Sequence, residues 1–236
     1  STSACVRTTA GLQVFYRDDS QGILLGAVKD GKNWLYEIVD GDKETGGRST
    51  GDVAFHLSAK SVGDKVYVGY DSVLSIDNER RALRGEVRLA TRTTSNPDDW
   101  EYKSIQNIDA TVLVSGFDVS LLVQGKSVYG AWLTASAFSI PNASQVSFGV
   151  VSSNSSHTSV NPSIYGAPTA PVSIGDKAVT FSCAKRLCSI NRTDQTISLV
   201  SSRNFETAAR SEWLTIKGVR YLLINSGEKL SLFKQP

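Results

Sequence analysis

Two aspartates stand at matching places in two similar segments of the chain. Asp52 opens the stretch DVAFHL and Asp118 opens DVSLLV, each directly before an alternating apolar run. Paired carboxyl groups cleave glycosidic bonds, one as an acid and one as a base or nucleophile. An aspartate at the start of a strand also caps it by accepting backbone hydrogen bonds. No matching acid stands out in later segments, so the sequence favours capping, with Asp52 and Asp118 retained as candidate catalytic residues.

The stretch VDGDKETGGRSTGD, which ends at Asp52, is rich in acids and glycines. Asp40, Asp42 and Glu44 alternate like the first ligands of an EF-hand loop, which makes Ca²⁺ a candidate cofactor. Gly46 comes one place late for that loop, and no glutamate closes it. The same residue types also suit an exposed connection between strands, and we favour the connection.

Flat aromatic faces beside arginine donors are typical of sugar-binding grooves. The candidate ligand-binding residues are Tyr16, Arg17, Tyr70, Arg88, Arg92 and Trp100. Trp34 and Trp100 both begin the fourth strand of a unit, and this equivalence favours packing between sheets for that pair. His56 and His157 lie far apart in sequence, without the ligand spacing of a zinc site.

The stretch FSCAKRLCSI predicts a disulfide between Cys183 and Cys188, because facing positions of a tight hairpin bring Cβ atoms close. Two reduced, half-buried thiols are the alternative. A disulfide would indicate an oxidising compartment, and Cys5 is left over.

The composition limits the classes of partner. The net charge of +2 over 236 residues gives no support for a nucleic-acid partner. We also expect no membrane span, because no apolar run is long enough to cross a bilayer.

Short glycine-containing turns recur before runs of β-branched and aromatic residues. They lie at Gly11, Gly63, Gly125, Gly175 and Gly218. Recurrence at about 40 to 60 residues predicts an all-β propeller of about five four-stranded blades, with a β-sandwich as the alternative. We expect a single domain over 1–236, with approximate blades at 1–40, 50–108, 116–162, 168–206 and 210–236.

The last of these blades shows only three recognisable strands. The blade is three-stranded, closes irregularly through the N-terminus, or is completed by a second chain. The last alternative is considered because native proteins usually cover a long unpaired edge.

The first half of the chain, from QVFYRDDSQGILLGAV to DDWEYKSI, resembles repeat units of secreted bacterial β-propellers. In those units an aromatic-Tyr-Asp strand precedes a short glycine-containing strand and then a Trp strand. Part of it is also similar to the VFYQD…G…I…W units of fucose-binding fungal lectins, where sugars sit between blades. The resemblance implies a secreted or cell-envelope-exposed protein, and many such bacterial proteins have no assigned activity.

The leading hypothesis is therefore an extracellular binding or adhesion propeller that recognises a glycan or a cell-surface protein. The sequence favours binding over enzymatic activity without deciding between them. A glycoside hydrolase that uses Asp52 and Asp118 is the first alternative. A subunit or fragment of a larger propeller, completed by another chain, is the second.

Overall fold

The protein folds into small antiparallel β-sheets arranged around one central cavity. The structure, a computed structural model, describes residues 2–42, 47–49, 52–76, 82–94, 99–106, 114–136, 145–153, 157–184, 186–201, 210–225 and 230–234. Within these ranges there are five sheets, four with four strands and one with three. The predicted all-β propeller of about five blades is confirmed, and the β-sandwich alternative is wrong.

The blades follow one another along the chain, and strands pair with their sequence neighbours in each. Blade 1 contains β1 (Ser3–Thr8), β2 (Gly11–Asp18), β3 (Ile23–Asp30) and β4 (Asn33–Asp40). Blade 2 contains β5 (Asp52–Val62), β6 (Lys65–Ile76), β7 (Ala82–Thr93) and β8 (Glu101–Ser104). Blade 3 contains β9 (Val114–Gln124), β10 (Ser127–Ser136), β11 (Gln145–Val150) and β12 (His157–Val160). Blade 4 contains β13 (Pro168–Ile174), β14 (Ala178–Cys183), β15 (Arg186–Asn191) and β16 (Ile197–Ser201). Blade 5 contains β17 (Arg210–Ile216), β18 (Val219–Asn225) and β19 (Leu230–Lys234).

The recurring glycines mark the hairpin between the first and second strands of each blade. In blade 5, Lys217 and Gly218 connect β17 to β18 with φ angles of 50° and 77°. Two successive left-handed residues are typical of a type I′ turn, whose twist matches that of the strands it joins. The turn glycines therefore predict the hairpins correctly.

The first strand of each blade lines the axis, and these inner strands run in the same direction. Asp118 on β9 accepts a hydrogen bond from Val172 N–H at 2.5 Å, and Ser120 accepts one from Ile174 N–H at 3.3 Å. Contacts between β1 and β5 (Thr2 with Ala54, Arg7 with Ser61) also advance in the same chain direction on both strands. The contacts between β5 and β9 do so as well (His56 with Phe117, Ser58 with Leu121). We call the end at which inner strands begin the upper end, and the end at the glycine turns the lower end.

Apolar side chains fill the spaces between adjacent blades. Among the described residues, the cluster between blades 3 and 4 contains Leu133, Val146 and Phe181, whereas the cluster between blades 4 and 5 has only Leu187, Leu222 and Ile224 at its centre. No helix in the described part of the chain has the length and hydrophobicity needed to span a membrane.

The predicted disulfide between Cys183 and Cys188 is confirmed. The two residues belong to the β14–β15 hairpin, with their Cα atoms 5.9 Å apart. Cys5 is an exposed free cysteine on β1.

Replacing both bonded cysteines with serine is expected to lower the free energy of unfolding by about 2 kcal/mol, because the unfolded chain regains the entropy of a short loop. Urea denaturation under non-reducing conditions measures the change. Cys5→Ser is the matched control and should shift it by less than about 0.5 kcal/mol. Equal midpoints for the two variants would contradict this expectation.

Candidate functional site

A cavity lies on the axis of the ring of blades. Its volume is about 490 Å³, and strands from all five blades line it. The lining side chains that bear on function are Thr2, His56, Lys60, Asp118, Trp213 and Arg220. This volume falls within the range of about 300–1,000 Å³ that is usual for small-ligand sites.

A histidine that lines the upper end of this cavity, His56, is paired with the buried Asp71 behind it. The pairing of β5 with β6 is interrupted between Val53 and Leu57, where Ala54 has a φ of 61°. This bulge lies beside Asp71, whose Oδ1 accepts the backbone N–H of His56 at 2.9 Å and whose Oδ2 lies 2.7 Å from Nδ1 of His56. Bulges re-aim side chains next to functional sites, and this one presents His56 to the cavity.

Burial of the carboxylate fixes the orientation of the imidazole. The Asp71 side chain is 6% exposed and that of His56 is 37% exposed. Because an ionised carboxylate only accepts hydrogen bonds, neutral His56 carries its proton on Nδ1. The Nε2 edge of the ring then points away from Asp71.

The two candidate catalytic aspartates do not share this cavity. Asp118 is a lining residue, buried at the upper end, with a φ of 54° and the bond to Val172 N–H described above. Asp52 is exposed and does not line the cavity, and its Oδ1 lies 3.4 Å from Nη2 of Arg17. The Val172 amide belongs to β13 of the next blade, so this hydrogen bond links two inner strands and is not the local capping that we favoured for Asp118. The catalytic role of Asp52 and Asp118 stays a prediction.

Arg92 and Trp100, two candidate ligand-binding residues, lie in a buried network that joins blades 1 and 2. Arg92 Nη1 lies 2.5 Å from Glu37 Oε2, and Nη2 donates to Gln13 Oε1 at 3.0 Å. The Arg92 guanidinium also stacks over the Trp100 ring, with 4.5 Å from its central carbon to the ring centroid. Trp100 is buried, as packing between sheets predicts, whereas Trp34 is 36% exposed.

Tyr70 and Arg88 converge on the buried Asp40 at the same blade interface. Tyr70 O–H donates to Asp40 Oδ2 at 2.5 Å, and Arg88 Nε lies 3.1 Å from the same oxygen. Backbone N–H groups of Gly41 and Ser49 donate to Oδ1 at 2.8 and 2.5 Å. Burial raises the pKa of Tyr70 well above its usual range, and the charge of Asp40 adds to this effect.

These contacts bear on the candidate calcium ligands. Asp40 already accepts hydrogen bonds from protein donors on both oxygens, and Asp42 is paired with Arg48 at 2.7 Å. Glu44 lies outside the described residues. The described residues hold no group of three His, Cys, Asp or Glu side chains placed to bind a metal. The calcium site stays a prediction.

Arg17 and Tyr16, the remaining candidates, lie on β2. The Arg17 guanidinium stacks on the Phe55 ring at 3.8 Å, donates to Asp19 at 2.8 Å and also contacts Val53 O. Tyr16 is half-buried. Neither side chain lines the central cavity.

Sequence reasoning missed the His56–Asp71 pair, although a signal was present. The β5–β6 hairpin pairs Val62 with Lys65. Each step back along β5 corresponds to one step forward along β6, so the same register places His56 opposite Asp71. Trp213 was also missed. Its ring lies against Gly175, where an added Cβ would be 2.9 Å from Cε2, and sequence spacing gives no sign of this long-range contact.

Comparison with known proteins gives similarity of structure alone. The sequence matches no family model and no curated protein. An α-L-arabinofuranosidase from Lactobacillus brevis aligns with a TM-score of 0.55 at 9% identity, covering 99% of this chain and 89% of that one. A xylan β-1,4-xylosidase from Bacillus halodurans C-125 aligns with a TM-score of 0.55 at 12% identity, covering 94% and 48%. The Trypanosoma rangeli sialidase in complex with sialic acid aligns with a TM-score of 0.56 at 11% identity, covering 95% and 43%.

At such identities the comparisons establish the fold and leave activity open. The five sheets around one cavity define this chain as a five-bladed β-propeller.

Proposed function

We propose that this chain is a glycan-binding propeller that holds a sugar unit in its central cavity without hydrolysing it. The observation that carries the proposal is the cavity of about 490 Å³, whose lining includes Trp213 and polar residues from several blades. Trp213 also packs against the apolar cluster between blades 4 and 5. Sugars bind to such surfaces through an apolar face and several directed hydrogen bonds.

The polar groups around the cavity suit hydroxyl-rich ligands. Ser58, Ser120 and Ser173 are lining residues on three successive inner strands, and His56 lies at the upper end. The structural neighbours named above are glycosidases by name, and one was solved with sialic acid bound. Their names support a sugar as the ligand class.

Hydrolysis receives less support than binding. Glycosidases need two carboxyl groups that flank the bond, about 5–9.5 Å apart depending on mechanism. Asp118 is the only carboxylate among the described lining residues, and it is engaged by Val172 N–H. A hydrolase based on Asp118 remains the alternative, because that carboxylate and the His56–Asp71 pair both lie at the upper end.

The remaining parts of the proposal concern location and partners. The disulfide supports an oxidising compartment, and we propose a secreted or cell-envelope-exposed protein. A cell-surface protein is the alternative partner to a glycan. A second chain that adds a strand beside β19 of blade 5 remains a further proposal.

Trp213→Ala is expected to weaken glycan binding about tenfold, because the sugar loses its aromatic contact. A glycan array identifies binders, and calorimetry of the best one compares the variants. Trp34→Ala removes a half-exposed tryptophan outside the cavity and should leave the affinity unchanged.

Two outcomes would contradict the proposal. The first is no binding to any array glycan by the wild-type chain. The second is release of sugar from arabinoside, xyloside or sialoside substrates that disappears in Asp118→Asn, which would establish the hydrolase alternative.

A further inference from the structure

We propose that a groove at the lower end of blades 3 and 4 is a second binding site, in which Arg192 binds the carboxylate group of a small molecule. The groove shares no lining residue with the axial cavity, and the site does not depend on the proposed glycan binding. Its volume is about 390 Å³, within the range usual for small-ligand sites. Its lining combines Arg192 and two threonine hydroxyl groups with the rings of Tyr129 and Phe148.

Arg192 follows β15 directly, and contacts with two neighbouring segments fix its position. Its backbone N–H donates to Lys177 O at 2.8 Å, which ties the β15–β16 turn to the β13–β14 turn. Its Nη1 donates to Gly175 O at 3.0 Å and to Asp176 O at 2.8 Å. The same nitrogen donates to Gln124 Oε1 of blade 3 at 3.4 Å. The guanidinium is therefore anchored at the interface between the two blades.

The anchored guanidinium is partly removed from water. Its central carbon lies 4.3 Å from the centroid of the Tyr129 ring, on which it stacks. Burial lowers the pKa of Arg192, and the nearby Tyr129 and Asp176 oppose this effect. A cation that burial destabilises is stabilised when an anion binds beside it.

Four other arginines at blade interfaces differ from Arg192 in having carboxylate partners. Their N–O distances lie between 2.5 and 3.1 Å, for Arg17, Arg48, Arg88 and Arg92. Within the described ranges, the hydrogen bonds of Arg192 go to carbonyl and amide oxygens instead. A carboxylate ligand would supply the negative charge in the planar geometry that a guanidinium prefers.

The turns that form the groove carry more positive than negative charge. Their charged residues in the described ranges are the cations Lys126, Lys177 and Arg192 and the carboxylates Asp176 and Asp194. The stretch 154–156, outside the described residues, is Asn-Ser-Ser and adds no charge. The turns therefore favour an anionic ligand.

Both carboxylates of these turns already have partners. Asp176 Oδ2 lies 2.8 Å from Nη2 of Arg220 in blade 5, which adds a further cation. Asp194 is exposed, and its Oδ1 accepts hydrogen bonds from the backbone N–H and the hydroxyl group of Thr196, at 2.9 and 2.6 Å. Neither carboxylate forms an ion pair with Arg192 in the described part of the chain.

A carboxylate fits this groove better than a phosphate group does. A carboxylate carries one charge and matches the single lining arginine, whereas a phosphate monoester carries about two negative charges at neutral pH. The second charge would increase the repulsion from Asp176, which also lines the groove. Phe148 and Val150 provide an apolar wall, so a carboxylate attached to an apolar ring suits the site.

The first experiment compares ligands on the wild-type chain. Benzoate carries a carboxylate on an apolar ring, and benzamide is its uncharged isostere. A ¹H–¹⁵N NMR titration follows the Nε–H group of Arg192 and the backbone amides of Thr158 and Thr193, two lining residues. We expect saturable shifts with benzoate, with an affinity at least about tenfold above that for benzamide. Phenyl phosphate should bind more weakly than benzoate.

The second experiment locates the site with variants. Arg192→Gln is expected to weaken benzoate binding about tenfold or more, because a charge-assisted hydrogen bond is lost. Arg192→Lys keeps the charge without the planar fork, and its affinity should lie between those of the wild type and Arg192→Gln. Arg186→Gln is the matched control, because it removes an exposed arginine from the upper end of the same blade. It should bind benzoate like the wild type.

Each contrary outcome overturns a stated part of the proposal. No saturable benzoate binding by the wild type, or equal affinity for benzamide, would overturn the anion site. Tighter binding of phenyl phosphate would overturn the choice of a carboxylate. Unchanged benzoate affinity in Arg192→Gln would overturn the location, and the wild-type comparison decides the ligand class even if that variant does not fold. Glycan binding is tested separately with Trp213→Ala, so either proposal can fail without the other.

Discussion

Asp40→Ala is expected to lower the free energy of unfolding by about 3–5 kcal/mol, because it removes the buried acceptor shared by several donors and leaves Arg88 with Glu86 as its remaining carboxylate partner. Asp40 is 0% exposed and accepts hydrogen bonds from Tyr70 and two backbone N–H groups as well. The substitution would remove the group on which the side chains at the blade 1–blade 2 interface converge.

Urea denaturation monitored by tryptophan fluorescence measures the loss. Asp30→Ala is the matched control, because Asp30 is an exposed carboxylate at the end of β3, and it should cost less than about 0.5 kcal/mol. A calcium titration of the wild type belongs in the same series. A Ca²⁺-dependent rise in midpoint that disappears in Asp40→Ala would show that Asp40 is a metal ligand and would contradict the assignment of its oxygens to protein donors.

Trp132→Ala is expected to cost about 3–5 kcal/mol, the usual range for deleting a large buried aromatic side chain. Trp132 is 0% exposed in the cluster between blades 2 and 3. Its Nε1 donates to Gln106 Oε1 at 2.5 Å, and its ring centroid lies 5.4 Å from that of His157. The variant would lose packing on several sides and leave the Gln106 oxygen with one donor fewer.

Trp34→Ala is the comparison, because it deletes the same type of side chain from a more exposed position. Trp34 lies on β4, the outer strand of blade 1, and its partial exposure limits the expected cost to about 1 kcal/mol. Chemical denaturation of both variants against the wild type gives the two differences. Similar costs for the two substitutions would show that burial in the blade 2–blade 3 cluster is not what makes Trp132 important.

The blade repeat could be predicted from sequence because its signals are local. A glycine turn and alternating apolar residues act over a few neighbouring positions, and Gly63, Gly125 and Gly218 mark such turns with φ angles of 60°, 63° and 77°. The Cys183–Cys188 disulfide could be predicted for the same reason, since both residues belong to one hairpin.

The candidate site was harder to predict because it depends on contacts between distant strands. Asp52 and Asp118 begin segments of similar pattern, yet only Asp118 lines the cavity. Arginine beside an aromatic ring is equally compatible with a sugar groove and with a buried blade interface. The structure places Arg92 and Trp100 in the second of these environments.

The lining of the central cavity extends along the chain from Thr2 to Leu230, so its two walls at blades 1 and 5 come from opposite ends of the sequence. Contacts of such large sequence separation form late and slowly during folding. A cavity ligand would therefore bind only chains whose ring has closed. By mass action, its binding would stabilise the folded state relative to the unfolded chain.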